Sequence, residues 1–600
     1  MRAPYPRTPH LPWSPGATAD DVRADGLAGL RGLEVVVTEK LDGENTTLYR
    51  DGLHARSPDS GHHPSRTWVK GLQGRIGPAI PAGWRVCGEN LFAQHSLAYR
   101  SLDSWFYGFS VWDADDRCLD WDATVRFLRR LGVPAPPVLW RGVLDERALR
   151  ALRLDTDRQE GYVVRSAAGF ARADFAHRVA KWVRPRHVRT DTHWMYAAVV
   201  ENGLGPAAAL WAVRSGAPAG PAALRAAVGL APDPSASGDP SASGPSGPSG
   251  ADTADAAVAD VAARLDTLGR TGDDRLAGVL AAALHGARRT ELAAHLAGPL
   301  GLPTARRVAD LAGLHPALHR PHPDEQRRSG LVRLSFAADL GVLHALAAAV
   351  LAGRTGPEAE EARGQVEWSA LHAEDAGLLA GGGASPLHRL RSGLREAFAD
   401  LPPDAAQRCW AEARAAFADG RVGTVDEAVA ATWRWRAGAF PRLVQLVGPS
   451  GSGKSRFAAG LPGGDVRISL DDLRQARGDR ADQRANGDVL RAGLDRLDTA
   501  LAAGTAAVWD ATSLNRHQRA AVLAVAQRRD ALVTQAVAVV GADELVRRNA
   551  VRPHPVPAAV LAEQCRRYGP PYPGEAHRTW YVGPSGTVDD TAGTLDEEDL

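Results

Sequence analysis

The stretch LVQLVGPSGSGKS (443–455) decides more about this 600-residue chain than any other of its length. Its first five residues are a near-continuous aliphatic run, as in a strand covered on both faces, and glycines at 448, 451 and 453 follow at once. A strand, a glycine-rich turn and then a helical stretch make a phosphate cradle. Backbone N–H groups around Gly448, Gly451 and Gly453 turn toward an anion, Lys454 reaches the terminal phosphate oxygens of a nucleoside triphosphate, and the Ser455 hydroxyl holds Mg2+. Outward from it, ISLDDLR (468–474), AAVWDATS (506–513) and LVTQAVAVV (532–540) alternate with helical patterns, which predicts an α/β unit on a parallel sheet.

Composition narrows the remainder. Six hundred residues exceed one hydrophobic core and predict three or four domains of roughly 150 residues each. Basic and acidic residues nearly cancel, 71 against 70, so no global field draws the chain to nucleic acid or membrane and any basic groove is local. Four of the 71 basic residues are lysines, at 40, 70, 181 and 454, and the other 67 are arginines. Arginine cannot serve as an amine nucleophile or a compact ammonium in a phosphate cradle, so each surviving lysine is a candidate for chemistry. Cys87, Cys118, Cys409 and Cys565 lie far apart with no CxxC pair, which suits a reducing compartment. With no apolar signal core at the start and no run of about 18 apolar residues, the expectation is a cytoplasmic protein without a membrane partner.

Around the cradle, Asp471 and Asp472 end the second strand, where a carboxylate can accept a hydroxyl proton; an Asp pair capping a helix is the structural alternative. With Asp510, Thr512, Asn515 and the helical ELVRRNAVR (544–552), these motifs resemble the polynucleotide 5′-kinase family of phage type over about residues 441–583. The resemblance implies Asp471 as general base on a 5′-hydroxyl and Arg474 on the terminal nucleotide's phosphate. It implies Asp510 and Thr512 as acceptor-placing residues and Arg552 as the lid arginine that clamps the transferring phosphoryl group.

At the other end, TEKLDGEN (38–45) closes a strand run. A lysine there can be held against a nucleotide α-phosphate as a nucleophile; a solvated hairpin with a DG turn is the plain alternative. Further strings follow in order: HARS (54–57), GEN (88–90), the aromatic strand WFYGF (105–109), EGYVVR (160–165) and VAKWVR (179–184). Together they resemble the covalent nucleotidyltransferases, and YPRTPHLPWSPG, HHPS, GENLFAQHSLAY and HVRTDTHWM are similar to RNA ligases, over about residues 4–200. The resemblance implies that Lys40 attacks ATP to give a lysyl-adenylate, with its pKa depressed by nearby cations and a metal. It puts Arg56 and Lys181 on phosphate, Glu89 on the ribose, Phe106 or Phe109 on adenine, and Glu160 on the nucleophile or a metal. Trp105 and Tyr107 read as core, and Lys70 as a solvated helix residue or an RNA contact.

The resulting architecture is multidomain: an α+β nucleotidyltransferase domain (1–215), a disordered Pro/Ser/Gly/Ala linker (216–256), an all-α middle domain (257–440), an α/β P-loop kinase domain with a parallel sheet (441–585) and a fraying acidic tail (586–600). The middle domain holds His285, His295, His315, His319, His322 and His344 but no His-Asp dipeptide. It reads as a scaffold, with Arg288, Arg289, Arg306 and Arg307 meeting phosphate, or as a degenerate phosphohydrolase. The flanking activities form one route: ATP and Mg2+ or Mn2+ serve as cofactors, RNA with broken ends (tRNA among the candidates) as substrate, and a separate 3′-end-healing phosphatase or phosphodiesterase as partner. End repair of DNA or mixed substrates, and a regulatory kinase or nucleotidyltransferase acting on a protein or small molecule, are the alternatives.

Overall fold

The computed structural model describes residues 2–185, 198–230, 250–381, 385–462, 465–477 and 486–596. The string HVRTDTHWM (187–195) and the centre of the expected linker therefore lie outside the described residues. Two compact units emerge, Met1–Ala251 with Arg270–Leu276, and Asp252–Gly269 with Ala277–Asp599. No helix among the described residues is long and apolar enough to cross a membrane.

The first unit is built on two antiparallel sheets. Strands β1 (Glu34–Lys40), β7 (Val138–Val143), β8 (Gly161–Ser166) and β10 (Val179–Val183) pair in the order β10-β8-β1-β7. Strands β2 (Glu44–Tyr49), β3 (Gly52–His54), β4 (Arg85–Asn90), β5 (Phe106–Trp112), β6 (Arg117–Cys118) and β9 (Phe170–Ala171) pair in the order β3-β2-β4-β5-β6-β9. The β-branched run of β1 suits a pleated, covered surface, and its alternation sorts side chains to two faces. Val35 and Val37, with Tyr162, Val164 and Ala180, pack against Leu11, Leu30 and Leu149. Register pairs Thr38 with Val163 and Lys181, and Lys40 with Gly161 and Val183, so Lys40 and Lys181 share the opposite face.

In the six-stranded sheet, Leu48, Val86, Phe106 and Val111 pack beneath the helices Thr67–Ile76 and Trp121–Leu131. Its other face contributes Cys87 and Trp112 to one cluster with Val179 and Val163 of the first sheet, which stacks the two sheets face to face. The opening segment borders β10: Leu11 N–H donates to Lys181 O at 2.8 Å and Gly16 N–H to Val183 O at 3.0 Å.

The second unit carries the expected parallel sheet. Strands β11 (Arg442–Val447), β12 (Val466–Ser469), β13 (Ala507–Asp510), β14 (Leu532–Ala538) and β15 (Arg578–Val582) run parallel in the order β12-β13-β11-β14-β15, and β16 (Val588–Ala592) closes the edge antiparallel. All seven residues of β14 are buried, as a central parallel strand requires.

Three expected boundaries change. The helical residues form no body of their own, because Leu302 shares a core with Val447, Val537, Tyr581 and Ala592 of the sheet. Within the expected linker, Pro221–Ala227 is helical with Leu224 buried, and a helix begins at Gly250. The acidic tail supplies β16, with Ala592 and Leu595 buried; Leu595 N–H donates to Gln407 Oε1 at 2.8 Å, and Asp596 accepts from Gln407 Nε2 at 2.8 Å. Among the described residues, the carboxylates of Asp589, Asp590 and Asp596 are bonding partners rather than a solvated run.

Two of the arginines expected to meet phosphate are engaged within the protein instead, Arg306 buried and Arg289 half-buried. Arg306 bonds Asp310 at 3.3 Å and Asp590 at 2.6 Å; Arg289 bonds Asp310 at 2.6 Å, donates to Pro570 O and Pro571 O, and lies 3.5 Å from the Tyr572 ring centroid. Arg288 donates to Arg566 O at 2.8 Å. The rings of His285, His315 and His319 adjoin one another at 6.2 and 5.3 Å, and His344 bonds Leu340 O and Ser369 Oγ.

Replacing the buried Asp310 leaves one buried and one half-buried guanidinium group short of a carboxylate, a loss of about 3 kcal/mol. Denaturant unfolding of the full chain carrying Asp310→Ala should show it, whereas Asp419→Ala, which removes an exposed partner of Arg333, should stay within about 0.5 kcal/mol of the parent. Equal effects would contradict the shared core.

Candidate active sites

In the first unit, chemistry concentrates where β1 ends. Lys40 closes that strand and its ammonium forms an ion pair with Glu160, which precedes β8 and is buried. The turn that follows brings a second strand edge close: a Cβ on Gly43 would sit 2.5 Å from Asn90 O, so only glycine permits the approach. Gly43 N–H in turn donates to Glu89 Oε1 at 3.3 Å. Asp42 is fixed by three donors, Ser96 N–H, Ser96 Oγ and Leu97 N–H, at 2.6–2.9 Å, and its own N–H donates to Tyr99 Oη.

Lys40 thus lies among the carboxylates of Glu160, Glu89 and Asp42. Burial pulls its pKa down, but the three negative charges outweigh it and hold the amine above the ordinary lysine value. This reverses the expectation of a depressed nucleophile. Glu89 is pushed up to about 8, first by burial and then, against the pull of Lys40, by Glu160 and Asp42. Lys181 is lowered by burial, then by the charge of Lys40, with Arg56 adding to it. The strings at 40, 56, 89, 160 and 181 therefore converge on one electrostatic neighbourhood.

The two aromatic candidates separate. Phe106 is wholly buried on the helix-covered face, with its ring against the position a Gly88 side chain would fill, so it does not line the gap between the sheets. Phe109 does: it is half-buried beside Val163 and edge-on to Tyr5 at 5.2 Å. A register shift between Cys87 and Gly88 leaves Phe109 without a direct partner on β4, as a β-bulge does. Lys70 is exposed on the helix Thr67–Ile76 and bonds His62 Nδ1 at 2.9 Å.

In the second unit, the loop after β11 holds the glycines in left-handed backbone, φ 147° at Gly448, 83° at Gly451 and 91° at Gly453, which an L side chain rarely adopts. Lys454 Nζ donates to Pro449 O at 2.7 Å and is lowered to about 8, by burial and against the attraction of Asp510, with Arg552 adding to the fall. Ser455 Oγ donates to Asp510 Oδ1 at 3.4 Å, and Arg467 bonds Asp510 Oδ2 at 2.5 Å. Asp471 and Arg474 pair at 2.7 Å, and Thr512 O accepts from Gly448 N–H at 2.9 Å. Asp510 is therefore beside Ser455 and Lys454, on the cradle side rather than out toward an acceptor. Arg552 Nη1 is buried without a hydrogen-bond partner among the described residues.

Four contributors carry no signal in the sequence. Tyr99 and Ser96 stand in the string GENLFAQHSLAY but drew no role of their own. Arg467 alternates with apolar neighbours in β12 and reads as surface. Gln564, whose Oε1 accepts from Ser450 N–H at 2.8 Å, sits on the helix Ala558–Arg567 with no motif around it.

Residues 33–183 match the family model described as RNA ligase. Residues 443–571 match the model described as AAA domain. The chain carries an RNA ligase family domain followed by a P-loop domain of the AAA type. Each model matches its unit across the site just described. No curated protein matches the chain. Among solved structures, the RNA ligase of Naegleria gruberi with PPi is 18% identical over 26% of this chain and 51% of its own, with a TM-score of 0.20. A sugar kinase from Janibacter sp. HTCC2649 is 22% identical over 24% of this chain and 86% of its own, also with a TM-score of 0.20. The chain spans about half the length of the Naegleria ligase.

The carboxylates around Lys40 yield a reactivity test that needs no nucleotide. In Glu160→Gln one of the three charges that raise the amine's pKa is gone, so the free-amine fraction at pH 8 should rise, about tenfold for each unit the pKa falls. Faster modification of Lys40 by an amine-selective reagent, followed by peptide mass spectrometry, is the expected result; an unchanged rate would remove Glu160 as the dominant charge.

Proposed function

We propose that this chain heals and seals broken RNA, its P-loop domain phosphorylating a 5′-hydroxyl end and its ligase-family domain joining that end to a 3′-hydroxyl. The single observation that carries the reading is the convergence on Lys40 of two kinds of group. Carboxylates hold the amine in place, and Lys181 and Arg56 bring positive charge to where phosphates would lie.

In the sealing half, Lys40 Nζ loses a proton and attacks the α-phosphorus of ATP, and the bond to pyrophosphate breaks. The raised pKa stores the amine as an ammonium, and a divalent cation held by Glu160 would relieve the carboxylates and favour the free amine. Phe109 is the ring available to adenine and Glu89 the carboxyl available to the ribose. A 5′-phosphate oxygen of RNA then attacks the adenylate, releasing Lys40, and the 3′-hydroxyl displaces AMP. In the healing half, Asp471 takes the proton of the 5′-hydroxyl as its oxygen attacks the γ-phosphorus, Lys454 and Arg552 meet the charge on the transferring group, and Arg474 holds the terminal nucleotide.

Among the described residues no three His, Cys, Asp or Glu side chains converge to hold a metal on their own. A divalent ion at either site therefore needs phosphate oxygens and water to complete its shell, with Ser455 and Asp510 on one side and Glu160 on the other. Its contribution is neutralisation of phosphate charge. Mg2+ and Mn2+ both fit that donor set. RNA is the proposed substrate, broken tRNA among its sources, and ends blocked at the 3′ side require a separate phosphatase or phosphodiesterase.

Incubation with α-labelled ATP and Mg2+ or Mn2+ should leave acid-labile label on Lys40, and Lys40→Arg should carry none; label persisting in that variant would overturn the assignment. On a nicked RNA with a 5′-hydroxyl, Lys454→Ala or Asp471→Ala should reduce phosphorylation at least about a hundredfold while sealing of a pre-phosphorylated nick continues. Loss of both activities in either variant would contradict the division of labour.

A further inference from the structure

The sequence TWRWR (432–436) alternates aromatic and arginine side chains, and the fold holds them on a short 3-10 turn, Trp433–Trp435, after the helix Val425–Ala431. Trp435 is fixed. Its indole N–H donates to Asp530 Oδ2 at 3.0 Å, Arg434 lies 4.3 Å and Arg408 5.2 Å from its ring centroid, and both arginines pair with Asp530 at 2.8 and 2.7 Å. Trp433, two residues earlier, is left 70% exposed; among the described residues no other Trp, Tyr or Phe is as open to solvent. The guanidinium of Arg436 lies 5.0 Å from its ring centroid and 5.9 Å from that of Phe398. Arg436 pairs with no carboxylate among the described residues.

An indole held on a rigid turn and backed by a cation loses little freedom when something stacks on it. Its chain neighbours are Thr432, which is buried, and Arg434, and they supply no apolar core of the kind a protein interface needs. Positive charge beside an open π-face is instead the pairing that takes a single strand, base on ring and phosphate on guanidinium. The position matters too. Asp530 precedes β14 and the turn precedes β11, so the patch belongs to the beginnings of these parallel strands, while the phosphate cradle follows their ends. At about 3.3 Å per residue, the six residues of β11 separate the two by about 20 Å, or about six nucleotides at stacked spacing.

We propose that Trp433, with Arg434 and Arg436, is a contact for single-stranded polynucleotide remote from the reacting end, engaged by long acceptors and out of reach of short ones. The proposal rests on the reading of the P-loop domain as a polynucleotide kinase, and it makes that activity sensitive to acceptor length.

The test compares the full chain with Trp433→Ala and Arg436→Gln on 5′-hydroxyl oligouridylates of 3 and 20 nucleotides. Trp433 is exposed and Arg436 half-buried, and circular dichroism and the unfolding midpoint verify that folding is intact. The expected result is an about tenfold higher KM for the 20-mer in Trp433→Ala, a smaller rise in Arg436→Gln, an unchanged kcat, and no change for the trinucleotide. Equilibrium anisotropy with the labelled 20-mer and no nucleotide triphosphate should show the same loss of affinity. If the parent protein phosphorylates neither oligomer, the kinase reading fails, and the anisotropy comparison still decides this one. Equal 20-mer affinity in parent and Trp433→Ala overturns the contact, as does an equal KM change at both lengths; a protein partner for the patch would give the first of these outcomes.

Discussion

The chemistry of the first unit depends on one constraint, that an ammonium be kept in a mostly buried gap between two sheets. A lone buried amine would discharge; three carboxylates prevent that here, and each is delivered by a different piece of backbone. Asp42 comes with the turn after β1, Glu89 with β4, and Glu160 with the approach to β8. The close packing that brings them together requires Gly43, where a side chain would collide with Asn90 O, and Gly161, where it would collide with Trp182 O. The same gap then feels Lys181, whose lowered pKa is the mirror image of the raised one at Lys40. The site is a balanced charge cluster that an incoming polyphosphate and its counter-ion would disturb, since the cage is built for a cation and the neighbouring face for an anion.

The second unit solves a different problem. Its sheet is covered in part by helices that come earlier in the chain, and the seam includes buried arginines. Arg306 spans Asp310 on its own helix and Asp590 on β16, so an edge strand and a helix are joined through one guanidinium. Buried charge of this kind is costly to leave unmatched and therefore specifies how the pieces fit.

Much of this was legible in the sequence, and the failures have physical causes. The phosphate cradle and the KLDG turn could be read because their working residues are neighbours along the chain and because glycine marks backbone that other residues avoid. The parallel sheet was foreseeable from its buried runs, and strands of the first unit from short apolar runs between turn residues. The choice between Phe106 and Phe109 was not, since it turns on a register shift opposite β5 that no local pattern announces. The sign of the shift at Lys40 was also hidden, because two of its three carboxylates arrive by strand pairing. The helical arginines looked like a solvated face while their partners were out of sight: Arg306 and Asp590 are 284 positions apart. The acidic tail misled for the same reason.

The opening segment of the chain has a consequence for how the protein is made. Residues 9–16 are bonded along β10, whose residues emerge from the ribosome some 170 positions later. Leu11, fully buried in the finished core, and Trp13, packed against that core, have no partner strand until then. β1 waits similarly for β7 and β8. Contacts of such long range make for slow folding and leave apolar surface open in the interval. The nascent ligase-family domain thus keeps apolar surface uncovered during most of its own synthesis, and its sheet can close only when the last of its strands has been made.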